Sequence, residues 1–402
     1  MADAAKLSRQ RGNWQAISID VTRLLDRGLQ GRLPTGVDRV SLEYVRHFGA
    51  RARAVVRVAG RWLTLGEADS QRIFAELLNP SPNFRWVVRA IVAKNYATRS
   101  HSPRGALLLN TGHSGLHESG YGLKISSMAL KPVFFLFDLI PLTHPEYCRA
   151  GEFEKHHQRL TTMLSFGSGI IVDSADVLGA LEGFALKKKL PLPTCTVAHL
   201  APGRLPVPAA ARPIDAPYFV MLGTIEPRKN HLLLLHLWRE MVAELGENAP
   251  RLVVIGQRGW ECEQVEDLLD RCGTLRGFVI EKSRCSDAEL STWLGHCQAL
   301  LFPSFTEGFG MPLVEALALG VPVIASHLPV FREIAGHIPD YLSPLDGTGW
   351  RHLVEDYAKP DSLARQAQYT RMQNYRAFTW EQHFEVVDDF LEACFQTTTP
   401  RA

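Results

Sequence analysis

Two series of short, almost wholly apolar runs dominate the chain, each run followed by sequence of helical periodicity, with seven prolines between the series. The first series is 16–21, 106–110, 133–138 and 169–173; the second is 218–222, 252–255, 277–281, 299–302 and 321–325. A run without polar alternation has to be buried on both faces, as strands are in a parallel sheet covered by helices. Pro191, Pro193, Pro202, Pro206, Pro208, Pro213 and Pro217 interrupt periodicity and predict an interdomain linker there. The expectation is therefore α/β, with two doubly wound domains over 1–205 and 216–375. At 402 residues the chain is long enough to bury two cores.

Several classes are disfavoured at once. No apolar run reaches the roughly 18 to 20 residues that cross a bilayer, and the start, with Asp3 and no apolar core behind it, is not a secretory signal. The seven cysteines have no CxxC pair, which suits free thiols in a reducing cytosol better than a disulfide frame or a zinc site. Gly256-Gln257-Arg258-Gly259-Trp260 follows a strand but is not GxGxxG, so a nicotinamide dehydrogenase is disfavoured. His113 and His117 stand four apart, but Gly112 and Gly115 make that segment a loop and no third ligand accompanies them; no metal is expected.

The net charge of +2 hides a polarity. Residues 1–205 hold 27 Lys and Arg against 16 Asp and Glu, or +11, and the remainder holds 17 against 26, or −9. Between Leu77 and His117 there is no acid at all, while Arg85, Arg89, Lys94, Arg99 and Arg104 fall within that stretch. Such a surface suits an anionic membrane or a phosphate-bearing acceptor, or is simply a solvated face; both readings stay open. If 84–96 is helical, Phe84, Val87, Val88, Ile91 and Val92 share one stripe, facing either a membrane or the domain's own core. Lys187, Lys188 and Lys189 read as a solvated helix end. No nucleic-acid partner is expected.

The most chemically pointed segment is Glu307-Gly308-Phe309-Gly310-Met311-Pro312-Leu313-Val314-Glu315-Ala316. A strand runs into a glycine loop, and Pro312 starts a helix where its missing amide does no harm. The free amides at the helix start, with the helix dipole, suit a diphosphate, and Gly308 and Gly310 allow a close approach. Two carboxylates flanking such a cradle suggest hydroxyl-rich cargo, although a capping role for Glu307 and a solvated one for Glu315 are the ordinary alternatives.

This segment resembles the Glu-x7-Glu motif of the large retaining family of GT-B glycosyltransferases, glycosyltransferase family 4, with forms like those of bacterial polysaccharide mannosyltransferases. Tyr218 to Lys229, YFVMLGTIEPRK, resembles the first strand and loop of that family's donor domain. The resemblance implies that Arg228 and Lys229 hold the diphosphate, that Glu307 contacts the donor sugar and Glu315 the ribose, and that Gly223, Thr224, Gly308, Phe309 and Gly310 lie at the donor. In the first domain 32–40 resembles the family's glycine loop, bringing Gly36 to the donor and Arg39 toward the acceptor. Phe137-Asp138-Leu139-Ile140-Pro141-Leu142 resembles a motif that usually begins with histidine; here Phe137 replaces it, leaving Asp138 to orient or deprotonate the acceptor or merely to cap a turn. His113 ends a strand and lines the acceptor side in this scheme. The helix-like segment at 379–396 is expected to cross back to the first domain. The implied activity is retaining, metal-independent hexosyl transfer from a nucleotide sugar, GDP-mannose favoured, to a lipid-linked or growing polysaccharide, without a cofactor. It would take place in the cytoplasm or at the inner face of the membrane. A sugar-nucleotide epimerase and a non-catalytic glycan-binding or scaffold protein are the alternatives.

Overall fold

Runs such as Tyr218-Phe219-Val220-Met221 hide every side chain from water, so their backbone groups can be satisfied only inside a sheet. The computed structural model, which describes residues 17–98, 102 and 104–396, contains two such sheets. The first, in order β3-β2-β1-β4-β5-β6-β7, is built from β1 (Ile17–Asp20), β2 (Ala52–Val58), β3 (Arg61–Thr64), β4 (Leu107–Asn110), β5 (Lys131–Leu136), β6 (Gly169–Val172) and β7 (Cys195–Val197). The second, in order β10-β9-β8-β11-β12-β13, uses β8 (Tyr218–Leu222), β9 (Arg251–Ile255), β10 (Val279–Lys282), β11 (Leu300–Phe302), β12 (Val323–Ser326) and β13 (Asp340–Leu342). Every pairing is parallel except that of β2 with β3.

Three differences from the sequence expectation have local causes. β2 and β3 form a hairpin whose turn residues Ala59 and Gly60 both have positive φ, the geometry that matches strand twist. β7 lies inside the proline-rich stretch expected to be only linker, and it pairs Cys195 with Ile170. β7 and β13 are three residues long, too short to show any period. Ala16 and Arg99 lie outside the described residues.

The helix Phe84–Thr98 turns its apolar stripe inward: Phe84, Val88 and Ile91 are buried, and Val87 and Val92 pack half-buried against the same core. Lys94 pairs with Asp69 at 2.9 Å. The stripe therefore cannot face a membrane. The last described helix, Trp380–Gln396, lies against β5, β6 and β7, where a side chain at Gly169 would meet Phe390 and Cys394 at 2.7 Å. Among the described residues no helix is long and apolar enough to cross a bilayer, and all seven cysteines are free thiols.

In the second sheet the strand order reverses between β8 and β11, with Leu300 seated between Val220 and Val323. The loops that leave β8 and β11 consequently emerge side by side at the carboxyl edge, the place where open α/β sheets bind ligands. The other sheet faces this edge, and the two lobes touch across it. Ser174 Oγ donates to the Gly308 carbonyl at 3.0 Å, and Tyr147 stacks on Phe305 with centroids 5.3 Å apart.

Candidate functional site

The loop after β8 turns at Gly223 and passes through a single 3-10 turn, Pro227–Lys229. Asn230 then takes a left-handed conformation and anchors the turn by donating to the carbonyls of Pro303 and Pro344, before the helix His231–Leu245 begins. This brings Arg228 and Lys229 against the loop after β11. Lys229 Nζ lies 2.5 Å from Glu307 Oε1, Arg228 Nη1 2.6 Å from Glu307 Oε2, and Arg228 Nε 2.6 Å from Glu226. Ser304 Oγ donates to Glu307 at 2.7 Å. Both Glu307 oxygens are thus engaged with cations, a partnership that the sequence expectation of a sugar contact did not contain.

Burial opposes the charge on Glu307, but Arg228 and Lys229 outweigh it and hold the carboxyl at about 2. Lys229 is pulled below the usual lysine range by burial and by Arg228 beside it, with Glu307 and Glu226 compensating only in part. Burial raises Glu226. Two cations and two carboxylates therefore balance in a nearly dry spot, where an arriving dianion can exchange for the carboxylates. Sequence reasoning missed Glu226, although it stands two residues before Arg228 in the quoted loop. His231 was missed as well: burial drops it to about 3, and neither ring nitrogen has a partner among the described residues.

Eight residues beyond Glu307, Glu315 sits in the helix Met311–Ala318, with Gly310 as the N-cap at φ 110° and Pro312 at the second helical position rather than the first. Gly308 makes a close approach, but to the other lobe: a side chain there would come within 2.0 Å of the Phe137 carbonyl. Phe309 is 4% exposed and packs in the core. Burial pushes Glu315 up to about 7 against the pull of Arg39. Arg39 reaches across the cleft to Glu315 at 3.4 Å and to Asp287 at 2.5 Å, which puts this residue beside the expected ribose carboxylate and not only on the acceptor side.

The first lobe contributes quieter groups. Gly36 opens the helix Gly36–Phe48, in which Thr35 and Asp38 form a reciprocal cap. Asp138 Oδ1 accepts from the Ile140 amide at 3.0 Å, so the capping role is real, while its charge still reaches Arg228 across the cleft. His113 Nε2 donates to the Phe135 carbonyl at 2.6 Å, and burial lowers the ring to about 3, leaving it neutral. Phe137 packs on Phe135 and His113, centroids 4.5 and 5.4 Å away, filling the place of the expected histidine. Asp173, unforeseen from sequence, is raised well above the carboxylate range by burial and by nearby Asp138, and its Oδ1 has no hydrogen-bond partner among the described residues.

Other candidates fall away from this centre. Arg258 is tied to Asp270 and Glu281, and Trp260 Nε1 donates to the Tyr147 carbonyl of the opposite lobe at 3.1 Å. No group of three or more potential metal ligands occurs among the described residues. Glu333, from the second lobe, accepts from the amides of Ala175 and Asp176 and from His199 at 2.7 to 3.2 Å, fastening the lobes through long-range contacts that no motif announces.

Residues 208–364 match the family described as glycosyl transferases group 1. The serotype-specific mannosyltransferase WbdA of Escherichia coli is 29% identical over 270 residues, 63% of this chain and 32% of that protein. The O-antigen chain mannosyltransferase B of Escherichia coli is 30% identical over 164 residues, 41% of this chain and 42% of its own length. The chain thus spans about a third of WbdA. Among solved structures, Anabaena HepE in complex with UDP and glucose aligns with a TM-score of 0.64 at 13% identity, covering 94% of this chain and 99% of that one. An α,α-trehalose-phosphate synthase from Burkholderia vietnamiensis aligns at 0.59 and 11%, covering 96% and 99%. The chain is a GT-B protein whose second lobe belongs to glycosyl transferases group 1.

Proposed function

We propose that this protein is a retaining hexosyltransferase that moves mannose from GDP-mannose to a polysaccharide or glycolipid acceptor. The observation that carries the reading is the Arg228 and Lys229 pair, held at the sheet's switch point beside the start of the helix Met311–Ala318 and balanced by Glu226 and Glu307. A nucleoside diphosphate leaving group develops negative charge at this spot, and preorganised cations in a dry cleft stabilise that charge far more than water does. The donor lies on 216–375 and the acceptor on 1–205 together with the helix Trp380–Gln396. Likeness to the mannosyltransferases WbdA and mannosyltransferase B supports mannose, and with it a GDP donor.

In this reading the diphosphate takes Arg228 and Lys229 from Glu307, freeing Glu307 to accept from sugar hydroxyls. Glu315 accepts from the ribose. The acceptor hydroxyl attacks the face of the oxocarbenium-like sugar that the diphosphate leaves, and the departing phosphate oxygen takes its proton. Asp138 orients that hydroxyl. The two side-chain cations and the helix start supply the positive charge that a metal would otherwise bring, so neither metal nor cofactor is required.

Incubation with GDP-mannose, UDP-glucose and TDP-glucose, with and without glycan acceptors, tests the reading. Transfer from GDP-mannose with the anomeric configuration kept is the expected result. Isomerisation without acceptor would establish an epimerase, and absence of any nucleotide binding would leave a glycan-binding scaffold.

A further inference from the structure

A cavity of about 410 Å³ opens on the first lobe, between the helix Thr22–Leu29, the turn leading to Gly36 and the start of the helix Phe84–Thr98. Leu24, Leu42, Leu77 and Phe84 form its apolar wall. Its charged lining is Arg27, Arg32 and Arg85 against one carboxylate, Asp38. That carboxylate is already engaged, by Arg23 at 2.8 Å, by Arg27 at 2.7 Å, and by the amide and hydroxyl of Thr35. Arg27 is occupied too, since it also donates to the Leu33 carbonyl at 2.7 Å. The guanidiniums of Arg32 and Arg85 have no ion-pair or hydrogen-bond partner among the described residues. Leu33, in the lining, is 49% exposed.

Hydrocarbon walls and two uncommitted guanidiniums ask for a ligand with both characters. A free sugar gains nothing from the wall, and a neutral lipid leaves the guanidiniums without a counterion. A hydrocarbon chain gains roughly 25 cal/mol for each Å² taken from water, and a phosphate at its end matches the planar fork of arginine. The volume is within the range of small-molecule clefts.

We propose that this cavity binds a hydrocarbon chain carrying a terminal phosphate, and that it seats the lipid carrier of the acceptor. The second half of that statement rests on the transfer reading above. The cavity's rim runs directly into Gly36, and Arg39, one turn further along, already touches Glu315 and Asp287 across the cleft. The lining residue Asp38 and the cleft residue Arg39 are thus neighbours on one helix, which links the cavity to the cleft.

Calorimetric titration of the full chain with decyl phosphate, decanol and inorganic phosphate, all below micellar concentration, separates the parts. Decyl phosphate should bind at least tenfold more tightly than decanol, and phosphate alone should not saturate. The double variant Arg32→Glu/Arg85→Glu should lose at least tenfold in decyl phosphate affinity with an unchanged melting temperature, and Leu33→Asp, at an exposed position that folding does not need, should weaken binding as well. Equal binding of decyl phosphate and decanol, or undiminished affinity in the double variant, overturns the proposal. Decyl phosphate binding in a protein that transfers no sugar would remove the transfer reading and leave the cavity assignment standing.

Discussion

Glu307 and Glu315 stand at the two ends of one loop-to-helix segment, with side chains 7% and 4% exposed, and their electrostatic states are opposite. Glu307 faces two cations from its own lobe at 2.5 and 2.6 Å and is held at about 2. Glu315 faces one arginine of the other lobe at 3.4 Å, shared with Asp287, and burial takes it to about 7. The same side chain at the same depth is a fixed anion in one place and a titrating group in the other, because burial sets a desolvation cost that two close cations repay and one more distant cation does not. The Glu307 end thus holds two cations in place, while the charge of the Glu315 end follows pH.

The sharpest way to break this contrast is to remove its cations. Arg228→Ala strips the guanidinium from both Glu226 and Glu307 and is expected to lower turnover by about 100-fold, the scale of losing a preorganised partner of developing charge, and to cost about 3 kcal/mol of stability in urea unfolding. Lys229→Ala should match the loss of turnover. Normal rates in both variants would end the diphosphate assignment.

A second test uses the pH axis. Glu307, depressed from 4.5 to about 2, contributes stability that is complete above 4.5 and is lost as pH falls toward 2. Glu315, raised from 4.5 to about 7, works the other way: its contribution is full below 4.5 and is lost as pH rises to 7. Glu315→Gln should therefore remove a fall in stability between pH 4.5 and 7 on the order of 3 kcal/mol at most, read from urea midpoints across that window. A wild-type profile that stays flat from 4.5 to 7 would contradict the raised value.

The contrast was only half legible in the sequence. Five of the six strands in the second lobe lie within two residues of the apolar runs that predict them, β13 being the exception, and the juxtaposition of Arg228 and Lys229 with Glu307 follows from both loops leaving adjacent strands at the switch point. The grip of the cations on Glu307 was not legible, because it depends on side-chain reach across two loops; the same is true of Glu226. Arg39 on Glu315 and Glu333 on Ala175 join residues more than 150 positions apart, and sequence spacing says nothing about such pairs. The stripe at 84–92 has the same periodicity whether it faces lipid or core, and here it faces core.

Smaller effects refine the first-lobe side. Asp138→Asn keeps a side-chain oxygen for the Ile140 amide, so stability should hold, whereas Asp138→Ala should cost about 1 kcal/mol, as loss of a local cap does. With the leaving phosphate taking the proton, Asp138→Asn should retain more than a tenth of the wild-type rate; a loss of 10²-fold or more would make Asp138 a general base. The smallest effect concerns metals: transfer should be unchanged in excess EDTA, and loss that magnesium or manganese restores would show that Arg228 and Lys229 do not suffice.

The most direct measurement is calorimetric titration of GDP and of guanosine into the wild-type protein and the Arg228→Ala/Lys229→Ala double variant. If the two cations exchange Glu307 for a diphosphate, GDP affinity falls at least 100-fold in the variant while guanosine binding stays the same. Undiminished GDP affinity in the double variant would contradict the account.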